Sequence, residues 1–330
     1  MDASRAALDL VTAAWRAQVV HTAAVLQLPD LVAAGHRTST ELATPTGVDA
    51  STLRRLLRVL ALLGLFEGDD TDGYTVTALG EQLQDRPGSL RDTCLLYGEE
   101  FHQAWGHAAE SFRTGIPGFE LAFKATLTDH LKHTPDAATR FQKGLRASSF
   151  FFDAVPDLID FGARVVDIGG GSGQLLSTVL RATPHARGTY VDLEHMLPVA
   201  REHFAATIGT ERVDLVALDM FTGTLPEADT YVLSRVLGDW SDDDCVRLLH
   251  NVRRAMPPEA RLLIIERVVH DGPDLLAPLW DLHLFVVNGG TQREYRTYVD
   301  LAARSGFAIK DTVALPMENS ALVLVPEERP

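Results

Sequence analysis

Cysteine is scarce: only Cys94 and Cys245 occur in 330 residues, and neither has a ligand-type neighbour pattern. This argues against a disulfide scaffold and a cysteine zinc site, and it makes a reducing cytoplasm the expected compartment. Long apolar runs are missing, so no segment is expected to span a bilayer. The first residues, MDASRAALDLV, show no basic stretch followed by an apolar core, so no signal peptide is expected. Basic residues are outnumbered, 30 Lys and Arg against 45 Asp and Glu, giving a net charge of −15. A nucleic-acid partner calls for a basic surface that displaces counterions, so none is expected. Repeats and low-complexity tracts are absent too. What remains is an ordinary globular composition, 46% hydrophobic and 23% charged, long enough for two domains.

Residues 1–35 carry Ala7, Leu8, Leu10, Val11 and Ala14, then Val19, Val20, Ala23, Ala24 and Leu26, at helical spacing. Such helices serve as core or as a dimer face. TSTELATPTGV predicts a short helix capped by Ser39 or Thr40 and ended by a Pro/Gly turn. DASTLRRLLRVLALLGLF predicts an amphipathic helix capped by Asp49 or Ser51. Leu65–Glu67 and Tyr74–Thr77 flank a turn rich in Asp and Gly and predict a hairpin. Helix, turn, helix and hairpin make a winged-helix arrangement. Arg54, Arg55 and Arg58 on its second helix would suit DNA. The wing, GDDTDG, carries three Asp where a DNA-contacting wing is basic or neutral, so the expected use is dimerisation. Residues 90–150 predict helices broken at Thr114–Phe119. Their His102, Trp105, His107, Phe112, Phe119 and Phe123 are core or line a pocket for a flat ligand.

After Asp157, strands and helices alternate, which predicts a doubly wound parallel α/β sheet. Phe307–Leu315 and Ser320–Val325 follow one another through a turn at Pro316–Asn319, which predicts a closing antiparallel hairpin. VVDIGGGSG follows the first strand, and Gly169, Gly171 and Gly173 allow a tight turn and close approach to a ligand. The helix from Gln174 presents free N–H groups there. A dinucleotide loop wants glycine where Gln174 stands, so the NAD reading fails. Asp167, Asp192 and Asp219 lie at the carboxyl ends of successive strands, the edge where such sheets bind ligands. Asp192 can accept from ribose hydroxyls. Asp219, with Met220 and Phe221 beside it, suits an adenine.

DIGGGSG, YVDL, LDMF, LSRVLGDW, LLIIER and the NGG before the last helix resemble the S-adenosylmethionine-dependent O-methyltransferase family of plant and acetylserotonin type. That family includes bacterial natural-product tailoring enzymes. The resemblance covers nearly the whole chain. It implies a winged-helix dimerisation domain over 1–95, a helical linker lining the substrate pocket over 96–155, and a cofactor-binding catalytic domain over 156–330. The catalytic domain would have the class I methyltransferase, Rossmann-like fold. By the same resemblance the glycine loop would hold the methionine part of S-adenosylmethionine, and Asp192 with Leu193 the ribose. Asp219, Met220 and Phe221 would flank the adenine, Ser234 would lie near the carboxylate or sulfonium, and Trp240 would pack by the adenine. S-adenosylhomocysteine would be the product. A homodimer and a small aromatic or polyketide-like substrate would be the partners, with no nucleic acid and no membrane.

In most of that family the corner after the fourth strand reads His-Asp-Trp, and the His is a general base. Here it reads Gly238-Asp239-Trp240. Of the two acids that orient the base, one matches Glu266. The other falls at Gln292, with Glu294 two residues later. Three readings follow. O-methylation driven by alignment comes first: alignment contributes roughly 7–11 kcal/mol, against about 10²–10⁴-fold from a base. C- or N-methylation comes second, with His283 favoured over His102, His107, Tyr97 and Tyr295 as the replacement base. A repurposed, non-methylating enzyme comes third. Outside enzymes, a cofactor-sensing winged-helix regulator is the alternative, and the acidic wing speaks against it. Glu266, Asp239 and His283 are therefore the catalytic candidates. His102, Trp105, Gly238, Asn288 and Asp281 are the candidates for substrate contact. No metal site is expected, because the SDDD run after Trp240 reads as helix capping.

Overall fold

The computed structural model describes residues 2–270 and 275–327. Two compact units emerge: Met1–Gly106 with Thr128–Ser148, and His107–Leu127 with Ser149–Pro330.

In the first unit, Leu53, Leu57 and Leu60 lie on one face of the helix Ala50–Leu62 and are fully buried against Leu28, Leu42 and Phe66. Asp49 caps this helix, its carboxylate accepting from Thr52 N–H at 3.0 Å. The preceding helix, Ser39–Thr46, is capped by Thr38 and not by Ser39 or Thr40. Thr38 Oγ1 accepts from Glu41 N–H, while Glu41 Oε2 accepts from Thr38 N–H at 2.9 Å, a reciprocal capping box. Strands β1 (Phe66–Asp69) and β2 (Gly73–Val76) pair antiparallel as the wing, Phe66 opposite Val76.

The wing acids have internal partners. Asp70 accepts from Ser39 N–H at 2.6 Å, from the Ser39 hydroxyl at 2.8 Å and from Arg54 Nε at 2.6 Å. Asp69 accepts from the N–H groups of Thr71 and Asp72. Asp70 ties the wing to the two helices and Asp69 closes the turn on itself, which accounts for an acidic turn in this position.

The second unit is built on seven strands among the described residues: β3 (Arg164–Ile168), β4 (Arg187–Asp192), β5 (Val213–Ala217), β6 (Thr230–Ser234), β7 (Arg261–Arg267), β8 (Phe307–Leu315) and β9 (Asn319–Pro326). Their order is β5-β4-β3-β6-β7-β9-β8, parallel except for β9, which runs antiparallel to both neighbours. Successive side chains point to opposite faces. Val166, Tyr231, Leu233, Leu262 and Ile264 enter one core layer, and Val165, Val232, Leu263 and Ile265 the other. Strand order reverses between β3 and β6, so a crevice opens beyond the carboxyl ends of those two strands. Among the described residues no helix is long and apolar enough to cross a membrane.

Asp70→Ala is expected to lower the urea unfolding midpoint by an amount equivalent to about 1–3 kcal/mol, because it leaves the Ser39 N–H and hydroxyl unpaired. Asp72→Ala at the wing tip should stay within about 0.5 kcal/mol of wild type. Equal midpoints for the two variants would make the acidic wing a merely solvated turn.

Candidate active site

The crevice beyond β3 and β6 is lined first by the glycine loop. Gly169, Gly171 and Gly173 all adopt positive φ, +68°, +57° and +78°. The inner side of the loop is tightly packed: a Cβ on Gly170 would lie 2.8 Å from Asp167 Oδ2 and from the Tyr190 ring, and one on Gly173 would lie 2.6 Å from Phe204. A Cβ on Gly171 would meet nothing within 4 Å, so the loop presents bare backbone to open space there. The helix Gln174–Ala182 begins at this loop with Gly173 as its cap, so its first N–H groups face the crevice.

Asp192 ends β4. Its Oδ2 accepts from Gly171 N–H at 2.9 Å and from the Tyr190 hydroxyl at 3.1 Å, and its Oδ1 accepts from Leu193 N–H at 2.7 Å. Three of about four lone-pair positions are therefore held by its own surroundings, which fixes the carboxylate and leaves one side of Oδ1 for a ligand. Asp219 is exposed, and its Oδ1 accepts from Phe221 N–H at 2.8 Å. Phe221 meets Trp240 edge to face, with centroids 4.7 Å apart, and Met220 packs on the core beside them. These side chains form an apolar wall next to the acid.

Asp167 lies beneath the loop, 2% exposed, and its Oδ2 has no protein partner. Burial, and then the charge of Asp192, push its carboxyl up to about 7. Ser234 Oγ, at the end of β6, and Gln174 Oε1 are also buried without partners. The next residue, Arg235, has φ +54°, a left-handed conformation rare for a side chain of this size. Its guanidinium donates to Ser149 Oγ at 2.7 Å and lies 5.1 Å from the Phe152 ring centroid.

This set fits S-adenosylmethionine. Bare backbone at Gly171, the helix N-terminus and the unpaired Ser234 Oγ suit its amino-acid end. The oriented Asp192 suits a ribose diol, and the wall of Met220, Phe221 and Trp240 suits a flat base. When bound, S-adenosylmethionine supplies an electrophilic methyl group on a sulfonium.

The second part of the site is the corner after β6. Gly238 is buried within the short turn Leu237–Asp239. Its φ lies outside the positive range, and a Cβ there would lie 3.3 Å from Thr291 O, 3.5 Å from Leu284 Cδ1 and 3.6 Å from Gln292 Nε2. Backbone conformation therefore does not demand glycine. Glu266, at the end of β7, is fully buried; its Oε1 accepts from Leu237 N–H at 3.0 Å and its Oε2 has no partner. Burial, then the Asp239 charge, hold its carboxyl up at about 7 against the nearby N–H groups of Leu237 and Gly238.

Arg293 braces the corner from below, 3% exposed. It donates to Leu237 O and Trp240 O, both at 2.6 Å, and to Asp242 at 2.8 Å. Asp281 accepts from Gln292 N–H at 2.7 Å and from the Thr291 hydroxyl at 3.0 Å, and Thr291 N–H donates to Gly238 O at 2.9 Å. Asn288 donates to Asp239 at 2.9 Å and accepts from Gly290 N–H at 3.0 Å. Asp281 and Asn288 thus act as braces of the corner.

His283 lies on the helix Leu276–Asn288 beside Trp280, centroids 5.8 Å apart, and burial pushes its imidazole down to about 4. At neutral pH it is therefore an uncharged base of low basicity. Glu294 is exposed and paired with Arg296, so Gln292 and not Glu294 stands at the corner. His102, Trp105 and Tyr97 belong to the first unit, with Trp105 and His102 exposed on the helix Glu100–Gly106. Tyr295 is partly exposed at the start of the helix Tyr295–Arg304, and His107 lies 3.9 Å from Glu110. The SDDD run does cap a helix: Ser241 accepts from Asp244 N–H at 3.2 Å. Sequence reasoning missed Arg293 and the bracing role of Asp281. A charged residue three positions after the glycine pair was the available signal.

A carboxyl held up in the folded state stabilises fully below its unfolded pKa near 4.5 and loses that contribution as pH rises through about 7. Glu266→Gln removes this titration, while those of Asp167 and His283 stay common to both proteins. The melting temperature of E266Q minus that of wild type, both without ligand, should therefore rise between about pH 5 and about pH 8. A difference that stays flat would remove a neutral buried Glu266 from this account.

Known proteins resemble this chain over nearly its whole length. Residues 8–85 match the O-methyltransferase dimerisation domain, and residues 105–308 match the O-methyltransferase domain. The chain is 42% identical over 323 residues to a phenazine-1-carboxylate N-methyltransferase of Pseudomonas aeruginosa, covering 97% of each. It is 35% identical over 322 residues to a 3-amino-4-hydroxybenzoate 4-O-methyltransferase of Streptomyces cremeus, covering 96% of this chain and 88% of that one. The solved structure of a pyocyanin biosynthetic protein superposes with a TM-score of 0.92 at 41% identity, covering 98% and 99% of the two chains. Solved relatives in this group bind S-adenosylmethionine or S-adenosylhomocysteine. The chain belongs to the O-methyltransferase family that joins a dimerisation domain to an S-adenosylmethionine-dependent catalytic domain.

Proposed function

We propose that this methyltransferase transfers its methyl group to a ring nitrogen of a flat aza-aromatic secondary metabolite. The observation that carries the reading is the corner itself, which has Gly238 and a neutral Gln292 where a base and its carboxylate would stand. An aromatic nitrogen with a free lone pair has no proton to lose. Its attack forms the C–N bond as the C–S bond breaks, the electron pair goes to sulfur, and the positive charge passes to the ring. A base contributes nothing to that step. A phenol of pKa near ~10 is, by contrast, only about one part in a thousand ionised at pH 7, and it forfeits the base's contribution of about 10²–10⁴-fold. Alignment supplies the remaining rate, and the braces on Gly238, Asp239 and Gln292 hold the corner rigid for it. The carboxylate of Asp239 stands beside a ring that becomes cationic. The relative at 42% identity is named for N-methylation, in line with this reading.

O-methylation of an acidic phenol is the second reading. The family match and the relative at 35% identity favour it. His283 is not a base in the first reading: its buried neutral ring serves as a wall beside Trp280. The molecule assembles as a homodimer through residues 8–85, whose first helices, Ala3–Val11 and Ala13–Val25, leave Leu10 and Trp15 more than two-thirds exposed.

Incubation with S-adenosylmethionine carrying a deuterated methyl group, and a panel of aza-aromatics, phenols and anilines, is expected to place label on a ring nitrogen. For that substrate kcat should be flat from about pH 7 to about pH 9. Label on oxygen, with kcat rising about tenfold per pH unit, would favour the second reading instead. Light scattering at micromolar concentration should give twice the chain mass, and a single-chain mass would refute the dimer.

A further inference from the structure

We infer that Gln292 determines substrate specificity, its carboxamide accepting a hydrogen bond from an N–H or O–H group on the ring close to the nitrogen that takes the methyl. The class of ring rests on the N-methylation reading above. Gln292 Oε1 is buried and has no protein partner, while the amide nitrogen Nε2 lies 3.6 Å from the point where a side chain at 238 would begin. The backbone beneath it is fixed on both sides. Asp281 holds its N–H and the Thr291 hydroxyl, Thr291 N–H is tied to Gly238 O, and the buried Arg293 follows directly. A flexible surface glutamine would turn to water, whereas this one is held in the packed corner beside Gly238.

A carboxamide neither gains nor loses a proton at ordinary pH, so it takes no part in removing one. It discriminates by hydrogen bonding. A ligand with a matching donor gives this oxygen the partner it lacks, and one without leaves it unpaired. Leu284 Cδ1, 3.5 Å from the same point, is the apolar neighbour of the amide there. The selected substrate is thus a flat aza-aromatic bearing an amino or hydroxyl group on its accepting edge, in preference to the bare ring.

Calorimetric titration of the S-adenosylhomocysteine complex of the full chain tests this without methyl transfer. The probes are a hydroxylated or aminated tricyclic aza-aromatic and its unsubstituted parent. Wild type is expected to bind the substituted ring about 10- to 100-fold more tightly. Gln292→Leu should bring that ratio within about threefold, and Gln292→Met, which likewise lacks a strong acceptor, should do the same. Retained S-adenosylhomocysteine affinity reports that each variant is folded. A wild-type ratio near one would overturn the inference with no variant needed, and so would a ratio that Gln292→Leu leaves intact. Label on oxygen together with the expected binding ratio would sink the N-methylation reading while leaving the role of Gln292 standing.

Discussion

The guanidinium of Arg293 is the contact on which the corner after β6 depends. It lies in the interior and donates to two carbonyl groups of the turn, Leu237 O and Trp240 O, as well as to Asp242 at the start of the next helix. Those carbonyls would otherwise be buried acceptors at the point where strand gives way to helix. A planar group with five donors in fixed directions satisfies several at once, which a lysine cannot do. With the turn fixed from below, Gly238 O is placed to accept from Thr291 N–H, and Leu237 N–H to donate to Glu266. The glycine pair, the corner and the end of β7 become one rigid body, the condition for a rate that comes from alignment.

The cofactor half of the site obeys the opposite logic. Its polar groups are held while some of their capacity stays unused: Asp167 Oδ2, Ser234 Oγ and one side of Asp192 Oδ1. Buried polar atoms without partners are destabilising, and the raised carboxyls of Asp167 and Glu266 belong to the same pattern. Asp167 and Ser234 lie where β3 and β6 part and Glu266 at the end of the neighbouring β7, so the strain sits along the carboxyl edge of the sheet and its two apolar layers compensate for it.

Much of this was legible in the chain. The alternation of apolar strands with helices, the glycines of the loop and the acids at or just past the ends of β3, β4 and β5 are local signals, and local signals survive folding. Contacts between residues far apart were not legible. Asp70 reaches back to Ser39, and Glu318, in a hairpin turn where it and Met317 both adopt positive φ, accepts from Ala277 N–H at 2.7 Å. Both caps come from outside the helix they serve, so no stretch around either helix start contains them. The Thr38 cap failed for a different reason. Thr38, Ser39 and Thr40 are all suitable residues, and only the reciprocal contact with Glu41, together with the capture of Ser39 by Asp70, decides among them.

The pairing of Gly238 with Gln292 has an electrostatic reason that neither position shows alone. The resemblance implies a histidine flanked by two acids, an arrangement that a protonated imidazole holds together. Remove the imidazole and the acids face one another. Two like charges about 5 Å apart at an effective dielectric near ~20 repel by roughly 3 kcal/mol, and burial first, with the Asp239 charge second, already holds Glu266 up at about 7. A third carboxylate at 292 would push Glu266 and Asp239 further toward protonation or apart from one another. A carboxamide keeps the shape and the hydrogen-bonding reach without the charge. Loss of the base and loss of the second acid are therefore one change in physical terms, and together they leave a corner suited to a substrate that brings its own lone pair.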